Sequence, residues 1–179
     1  MKKTILAFSL IALCGGVFAQ AKTTTSATVA FDATTEKDAL PKAENKTVVA
    51  QLNPKTGEIG FEAAVKNFSF SNPLIQEHFN GERWLNSDKF ASFTFVGKVA
   101  EIAKVNFSKN GVYAVSVSGE LTVKDKSKTI TAPATIEVKN GVVSAKANFS
   151  IVLADYGIEV GTSGKIAGEP KITVSAELK

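Results

Sequence analysis

The sequence predicts an all-β domain: an antiparallel meander of about eight strands that closes into a barrel, with one short inserted helix. Several segments place apolar residues at every second position, which is the pattern of strands with one dry face and one wet face. This register is clearest at 113–123 and 145–153. Strands of about twelve residues, at about 3.3 Å per residue, span about 40 Å. Because long open edges promote aggregation, we expect the sheet to close on itself.

Residues 1–19 have the composition of a secretory signal peptide. Lys2 and Lys3 form a basic start, an apolar run covers 5–17, and Ala19 is a small residue suited to cleavage after it. The apolar run is too short to cross a bilayer comfortably, so a retained membrane anchor is the alternative. We therefore expect the chain to be secreted.

Cys14 is the only cysteine of the chain and lies within this signal. Leu13 precedes it, at a position where a lipoprotein signal needs a small residue, so we expect Cys14 to be removed with the signal. The rest of the chain then has no disulfide, but it is long enough to bury one core without a disulfide. We predict a single barrel domain at 20–179.

The charge of the chain gives no basis for nucleic-acid binding. The formal net charge is only +4, and Lys2 and Lys3 of the signal contribute to it. Lys124, Lys126 and Lys128 gather near one predicted turn. We expect them to form a solvated hairpin tip, and a contact with a lipid head group or a membrane surface is the alternative.

Turn residues divide the domain into strands. Asn110 with Gly111, and Asn140 with Gly141, each lie between alternating apolar runs, which is a strong hairpin signal, and 54–57 forms a third turn. The segments between these turns predict strands at 26–31, 46–52, 57–70, 91–107, 112–124, 128–139, 142–154 and 169–178. Because most of them follow one another directly, we expect neighbours in sequence to pair.

Two irregularities interrupt the strand pattern in the first half. Apolar residues occupy odd positions at 59–65 but even positions at 68–70, which predicts a bulge near Lys66 and Asn67. Residues 32–46 are polar and include a proline, which predicts a long loop or a short helical excursion between the first two strands.

The one helix is predicted within 72–88. Asn72 can cap it and Pro73 suits its first position, with apolar residues following at helical spacing. Gly81 is expected to end the helix, and Trp84 follows in a turn. An amphipathic helix inserted in a meander is expected to close one end of the barrel.

Groups that could support catalysis are few. His78 is the only histidine, and no serine lies in a nucleophile-elbow pattern. One histidine cannot supply a typical zinc site, even with Glu77 and Glu82 nearby. We expect His78 to pack on the inner face of the helix. An isomerase or hydrolase that uses His78 with a neighbouring carboxylate is the alternative.

The aromatic residues are mostly phenylalanine: twelve, against two tyrosines and one tryptophan. They either fill an ordinary core or line a tunnel for a long apolar ligand, since such pockets are mainly aromatic and aliphatic. Small residues at expected inward positions are compatible with a cavity, and also with simple tapering of the barrel. They are Ala91, Ala132, Ala134, Ala145 and Ala147.

Several motifs follow one another in a characteristic order. They are 68–70, the stretch Asn-Pro-Leu-Ile-Gln-Glu-His-Phe at 72–79, then 84–90, 93–95, 117–123, 155–158 and 166–178. In this order and spacing the sequence resembles the YceI-like family of secreted, lipocalin-like proteins over essentially the whole mature chain. The resemblance implies an elongated eight-stranded antiparallel barrel that holds a polyisoprenoid or another long-chain amphiphile without catalysis.

The favoured function is therefore sequestration or transport of an isoprenoid-type lipid in the periplasm, with no cofactor and no metal. A transient contact with the membrane surface and a homodimer stay open. The alternative from another class is a stress-related structural or interaction protein whose own side chains fill the barrel. The expected ligand-binding residues are the wall residues Phe68, Phe70, Phe93, Phe95, Phe149 and Ile151, with Phe79 and Trp84 as lid.

Overall fold

The computed structural model describes residues 21–179, and the predicted signal segment 1–19, with Cys14, lies outside the described residues. The described part contains one α-helix, α1 (Pro73–Asn80). Its strands are β1 (Lys22–Asp32), β2 (Lys42–Leu52), β3 (Glu58–Ala64), β4 (Ser69–Phe70), β5 (Ser92–Val99), β6 (Gly111–Val123), β7 (Lys126–Lys139), β8 (Val142–Ser150) and β9 (Lys171–Leu178).

The strands form one closed antiparallel sheet. Its order is β1-β9-β8-β7-β6-β5-β3-β2, and the pairing of β1 with β2 closes the ring. The two-residue strand β4 also pairs with β2, at the end where β3 has stopped. The predicted eight-stranded antiparallel barrel with one helix is therefore confirmed.

The barrel has two unlike ends. One end, called here the helix end, carries α1, the β6–β7 hairpin and the segment 151–170. The opposite end, called the termini end, carries the β2–β3 turn, the segment 100–110 and both ends of the described chain. Apolar side chains pack the termini end, and the fully or almost fully buried ones include Leu52, Val138, Val143 and Leu178. Open interior volume is thus left to the middle and the helix end.

Helix α1 begins and ends as the sequence predicts. The side chain of Asn72 accepts a hydrogen bond from the Leu74 amide at 2.9 Å, Pro73 is the first helical residue, and Gly81 follows the last turn. Asn72 and Pro73 satisfy or remove amide donors that the first helical turn leaves without partners. Within 21–179, no helix is long and apolar enough to cross a bilayer.

Several predicted boundaries are wrong. The strand expected at 57–70 is divided into β3 and β4 by a 3-10 turn, Val65–Asn67, so the phase slip is where the pattern indicated but the interruption is complete. The strand expected at 91–107 ends at Val99, and a second 3-10 turn follows it. The loop expected at 32–46 is shorter, because β2 begins at Lys42.

Only one of the two Asn-Gly pairs that were expected to form hairpin turns does so. Asn140 and Gly141 form the two-residue β7–β8 turn, with φ angles of 51° and 82°. Asn110 and Gly111 do not form a hairpin turn, since β6 begins at Gly111 while its pairing with β5 begins only at Val117. A turn motif specifies local backbone angles, but it cannot specify whether the preceding segment is a strand.

Candidate functional site: an apolar cavity inside the barrel

An internal cavity of about 150 Å³ occupies the barrel between its middle and the helix end. Every strand except β2 and β4 contributes to its wall. Of the lining residues, only Thr94, Lys146 and the indole of Trp84 carry a polar group, and the others are hydrocarbon side chains. Such a cavity is suited to an apolar occupant and offers few groups that could orient a polar one.

Seven of the eight sequence-predicted site residues line this cavity, namely Phe68, Phe79, Trp84, Phe93, Phe95, Phe149 and Ile151. The eighth, Phe70, is buried but does not border the cavity. Its ring packs against Phe79 with centroids 4.8 Å apart. The contact of these residues with a ligand stays a prediction.

Phe79 is the centre of an aromatic cluster that fills the helix end. Its ring centroid lies 5.8 Å from those of Phe31 and Phe68, and 6.3 Å from that of Trp84. The T-shaped and tilted geometries are those that aromatic quadrupoles favour. Helix α1 thus inserts one large side chain, only 4% exposed, into this end of the barrel.

Two glycines that the sequence analysis did not assign to the site shape the wall beside Phe95. Gly97 on β5 pairs directly with Gly119 on β6. A Cβ atom on Gly97 would lie 2.6 Å from Cζ of Phe95, and one on Gly119 would lie 2.8 Å from the same atom. The Phe95 ring therefore lies against the bare backbone of both strands. The signal was present, because Gly119 shares the inward register of Val117 and Leu121.

The structure confirms the predicted inward position for four of the five alanines. Ala132, Ala134, Ala145 and Ala147 all border the cavity, so small inward residues do leave room there. Ala91 is exposed in the segment before β5, and the inward position expected for it is wrong. Strand alternation could not identify this, because β5 begins one residue later.

His78 is exposed, so the expected packing on the inner face of the helix is wrong. The cause is that the short helix buries only its Phe79 face, and adjacent helical residues point about 100° apart. Among residues 21–179, no group of three or more His, Cys, Asp or Glu side chains could hold a metal ion. The His78 side chain therefore lies away from the cavity lining.

Tyr156 ends the 3-10 turn Leu153–Tyr156, which follows β8 at the helix end. Burial raises the pKa of the Tyr156 hydroxyl, and the negative charge of Asp155 adds to the increase. The phenol of this buried residue is therefore neutral at physiological pH.

The comparisons with known proteins agree with this architecture. A family model described as YceI-like domain matches residues 17–178. The chain belongs to the YceI-like family. No curated protein matches the sequence of this YceI-like chain.

Solved structures share the fold at low sequence identity. A polyisoprenoid binding domain from Saccharophagus degradans, implicated in plant cell wall breakdown, is 11% identical with a TM-score of 0.75, over 89% of this chain and 98% of that one. BcnA of Burkholderia cenocepacia is 18% identical with a TM-score of 0.70, over 86% and 96%. The Campylobacter jejuni YceI protein is 19% identical with a TM-score of 0.54, over 74% and 80%.

Proposed function

We propose that this YceI-like protein binds a polyisoprenoid or another long-chain amphiphilic lipid and sequesters or transports it in the periplasm, without catalysing a reaction. The observation that carries the proposal is the cavity, whose wall is almost entirely hydrocarbon. The Saccharophagus degradans domain of the same fold is named as polyisoprenoid binding, which supports the same ligand class here. The signal-like composition of 1–19 supports secretion.

The energetics favour a carrier. Burying one methylene group is worth about 0.8 kcal/mol, so the tail of a long-chain lipid gains tens of kcal/mol on leaving water. A bilayer shelters the same tail about as well. The free energy of transferring the lipid between a membrane and the barrel is therefore close to zero, so the barrel can both accept and release it.

The size of the cavity indicates how a long chain must be accommodated. A volume of about 150 Å³ is comparable to that of engineered protein cavities that admit a benzene-sized molecule. A polyisoprenoid therefore has to displace lining side chains as it enters. Phe93, Phe95 and Phe149 border the cavity and are only partly buried, so these rings are the ones we expect to move.

The absence of catalysis is part of the proposal and has physical support. Among the residues that the structure describes, the cavity lining contains no carboxylate and no histidine, its only hydroxyl is that of Thr94, and its only titratable side chain is that of the exposed Lys146. General acid–base catalysis needs a titratable group within hydrogen-bond reach of the substrate. A substrate held in this cavity would meet no carboxylate or imidazole.

The only tryptophan of the chain supplies a direct assay, because Trp84 borders the cavity. Titration of the protein with geranylgeraniol, a C20 prenol, is expected to change the Trp84 emission saturably. Native mass spectrometry of protein recovered from the secreting cell is expected to show a co-purifying lipid. A protein that carries no lipid and gives no response to the prenol would contradict the proposal.

A matched pair of variants separates lipid binding in the cavity from adhesion to the surface. Ala134 borders the cavity, whereas the adjacent Thr135 is exposed on the outer face of β7. Ala134→Phe fills the lumen and is expected to weaken prenol binding at least tenfold. Thr135→Phe adds the same side chain outside and should leave binding unchanged. Equal effects of the two substitutions would contradict binding inside the barrel.

A further inference from the structure

The wall of the barrel is interrupted between β7 and β8 at the helix end. β7 pairs with β6 along almost its whole length, from Lys126 to Val138. Its pairing with β8 extends only from Lys139 back to Ala134, which faces Ala147. The first half of β7 therefore has no ladder partner on that side, although β8 continues to Ser150.

Pro133 gives the physical reason for the interruption. The two-residue turn at Asn140 and Gly141 closes on a hydrogen-bonded pair, Lys139 with Val142, and such pairs recur at every second residue of an antiparallel ladder. Continued along β7, the series reaches Pro133 opposite Asn148. Proline has no amide hydrogen to donate, so the ladder ends there.

The gap has defined borders. Its base is the Ala134–Ala147 pair. At the other end, a Cβ atom on Gly157 would lie 3.0 Å from Nζ of Lys126, so the segment after β8 crosses over the start of β7. Between these borders, no main-chain hydrogen bond joins 127–133 to 148–156 among the described residues.

Both edges of the gap border the cavity. Ile130 and Ala132 line it from β7, and Ala147, Phe149 and Ile151 line it from the β8 side. On the outer face, the β7 residues at 127, 129, 131 and 133 are all exposed, as is Asn148. Exposed residues on one surface and cavity-lining side chains on the other are the two faces that a passage through the wall would have.

The break between β2 and β3 is bridged. β3 stops at Ala64, and there the Asn45 side chain of β2 donates a hydrogen bond to the Ala64 carbonyl at 2.9 Å. β4 then resumes the pairing with β2. The gap beside Pro133 has no such side-chain bridge among the described residues.

We propose that this gap, bounded by 127–133 of β7 and 148–150 of β8 and called here the lateral portal, is where the lipid tail enters and leaves. The inference rests on the proposed function. A tail that enters here passes sideways from a membrane into the cavity and does not need to remove the aromatic cluster of Phe79 from the helix end. The polar head of the lipid stays outside.

Lys146 lies at the base of the portal and is the candidate partner for that head. It is exposed on the outer face of β8 and nevertheless borders the cavity. No ion pair engages it among the described residues. An ammonium group at the edge of an apolar cavity favours an amphiphile with an anionic head, such as a phosphate or a carboxylate.

A reversible disulfide tests the portal. Thr131→Cys with Ser150→Cys, two exposed positions of the portal, joins the two edges in a chain that also carries Cys14→Ser and leaves Pro133 in place. The control pair, Lys98→Cys with Ser118→Cys, joins two facing positions of the continuous β5–β6 ladder. Uptake of geranylgeraniol is followed by Trp84 fluorescence in the oxidised form and after reduction with dithiothreitol.

Oxidation is expected to slow uptake at least tenfold in the portal pair, reduction is expected to restore it, and the control pair should load equally fast in both forms. Equal rates in the oxidised and reduced portal pair would overturn the portal while leaving the proposed function intact. Loss of binding in every form, including the unsubstituted chain, would overturn the proposed function and the portal with it.

A second variant covers the case in which the disulfide does not close. Asn148→Cys alone, in the Cys14→Ser chain, is modified with a bulky maleimide, and Ser118→Cys modified in the same way is the control. The modified portal edge is expected to slow uptake and the control is not. Equal uptake by the two conjugates would overturn the portal.

A separate binding measurement tests Lys146 as the partner of the lipid head group. Lys146→Gln is expected to weaken binding of geranylgeranyl diphosphate about threefold, the size of an exposed charge interaction, and to leave geranylgeraniol binding unchanged. Lys139→Gln, at the other end of the β7–β8 ladder, serves as the control. Unchanged diphosphate affinity in Lys146→Gln would overturn the assignment of the head group to this lysine.

Discussion

The side-chain amide of Asn45 donates a hydrogen bond to the main-chain carbonyl of Ala64 at 2.9 Å, at the residue where β3 ends. The Asn45 oxygen accepts hydrogen bonds from the amide and the hydroxyl of Thr47, also at 2.9 Å. Asn45 is fully buried. One side chain thus takes the place of the ladder hydrogen bonds that the interrupted strand no longer provides.

Asn45→Ala is expected to lower the free energy of unfolding by about 1–3 kcal/mol, because it leaves buried polar groups without partners. Urea unfolding followed by circular dichroism measures the change. Asn106→Ala is the control, since Asn106 is exposed and, among the described residues, its side chain accepts a hydrogen bond only from the Ser108 amide. A similar loss in both variants would contradict a bridging role for Asn45.

Gly119→Ala is expected to destabilise the barrel by about 1–3 kcal/mol, the usual cost of overpacking. Its Cβ would overlap the Gly97 Cα and the Val96 carbonyl oxygen, and rigid backbone cannot move aside cheaply. Gly60→Ala on β3 is the control, because its closest contact is the flexible amide of Gln51 at 3.3 Å. Thermal unfolding is expected to give a lower midpoint for Gly119→Ala than for Gly60→Ala. Equal midpoints would show that the stability of the barrel does not depend on the close approach of β5 and β6.

Phe79→Ala is expected to cost about 3–5 kcal/mol, the range for deleting a buried aromatic ring. The ring contacts Phe31, Phe68, Phe70 and Trp84, so its removal leaves a cavity beside the existing one. Leu74→Ala on the same helix is expected to change little, because Leu74 is 57% exposed. Denaturant unfolding of both variants measures the difference, and comparable losses would exclude Phe79 as the anchor of α1.

Asp32 is expected to contribute stability that depends on pH. Its carboxylate accepts hydrogen bonds from the Thr34 hydroxyl at 2.7 Å and the Thr34 amide at 3.0 Å, and these lower the pKa of Asp32 below its ordinary value of 3.8. A lowered pKa in the folded state means that the ionised form stabilises the fold. This contribution is complete above the ordinary pKa and is lost as the pH falls through the lowered one.

Asp32→Asn should therefore be less stable than the unsubstituted chain near pH 7, and the difference should shrink as the pH falls below about 3.8. Urea unfolding at several pH values measures this convergence. Asp125→Asn, at the β6–β7 turn, is the comparison. A stability difference for Asp32→Asn that is constant with pH would contradict the ionic contribution.

Much of the fold could be predicted because its determinants are local. The period of two set the inward face of β6, β7 and β8, and Asn72, Pro73 and Gly81 set the ends of α1. Five of the six wall residues predicted on strands also border the cavity. A strand has only two faces, so a correct register assigns every side chain on it at once.

The features that the sequence analysis did not predict depend on contacts between distant segments. His78 points away from the barrel because the short helix buries Phe79 inside it. Ala91 is exposed because β5 begins only at the next residue, Ser92. Pairing of Gly97 with Gly119 becomes meaningful only when β5 and β6 are brought side by side.

Hydrophobic periodicity and helix capping act over a few residues, so the strands, the capped helix and the apolar inner faces follow from local sequence. The closure of the ring through β1 and β2, the bridge that Asn45 forms and the break that stays open beside Pro133 depend on which distant segments meet in the folded chain. The physical reason is that the effect of a missing amide hydrogen depends on which strand lies opposite it, and closure of the barrel fixes that partner.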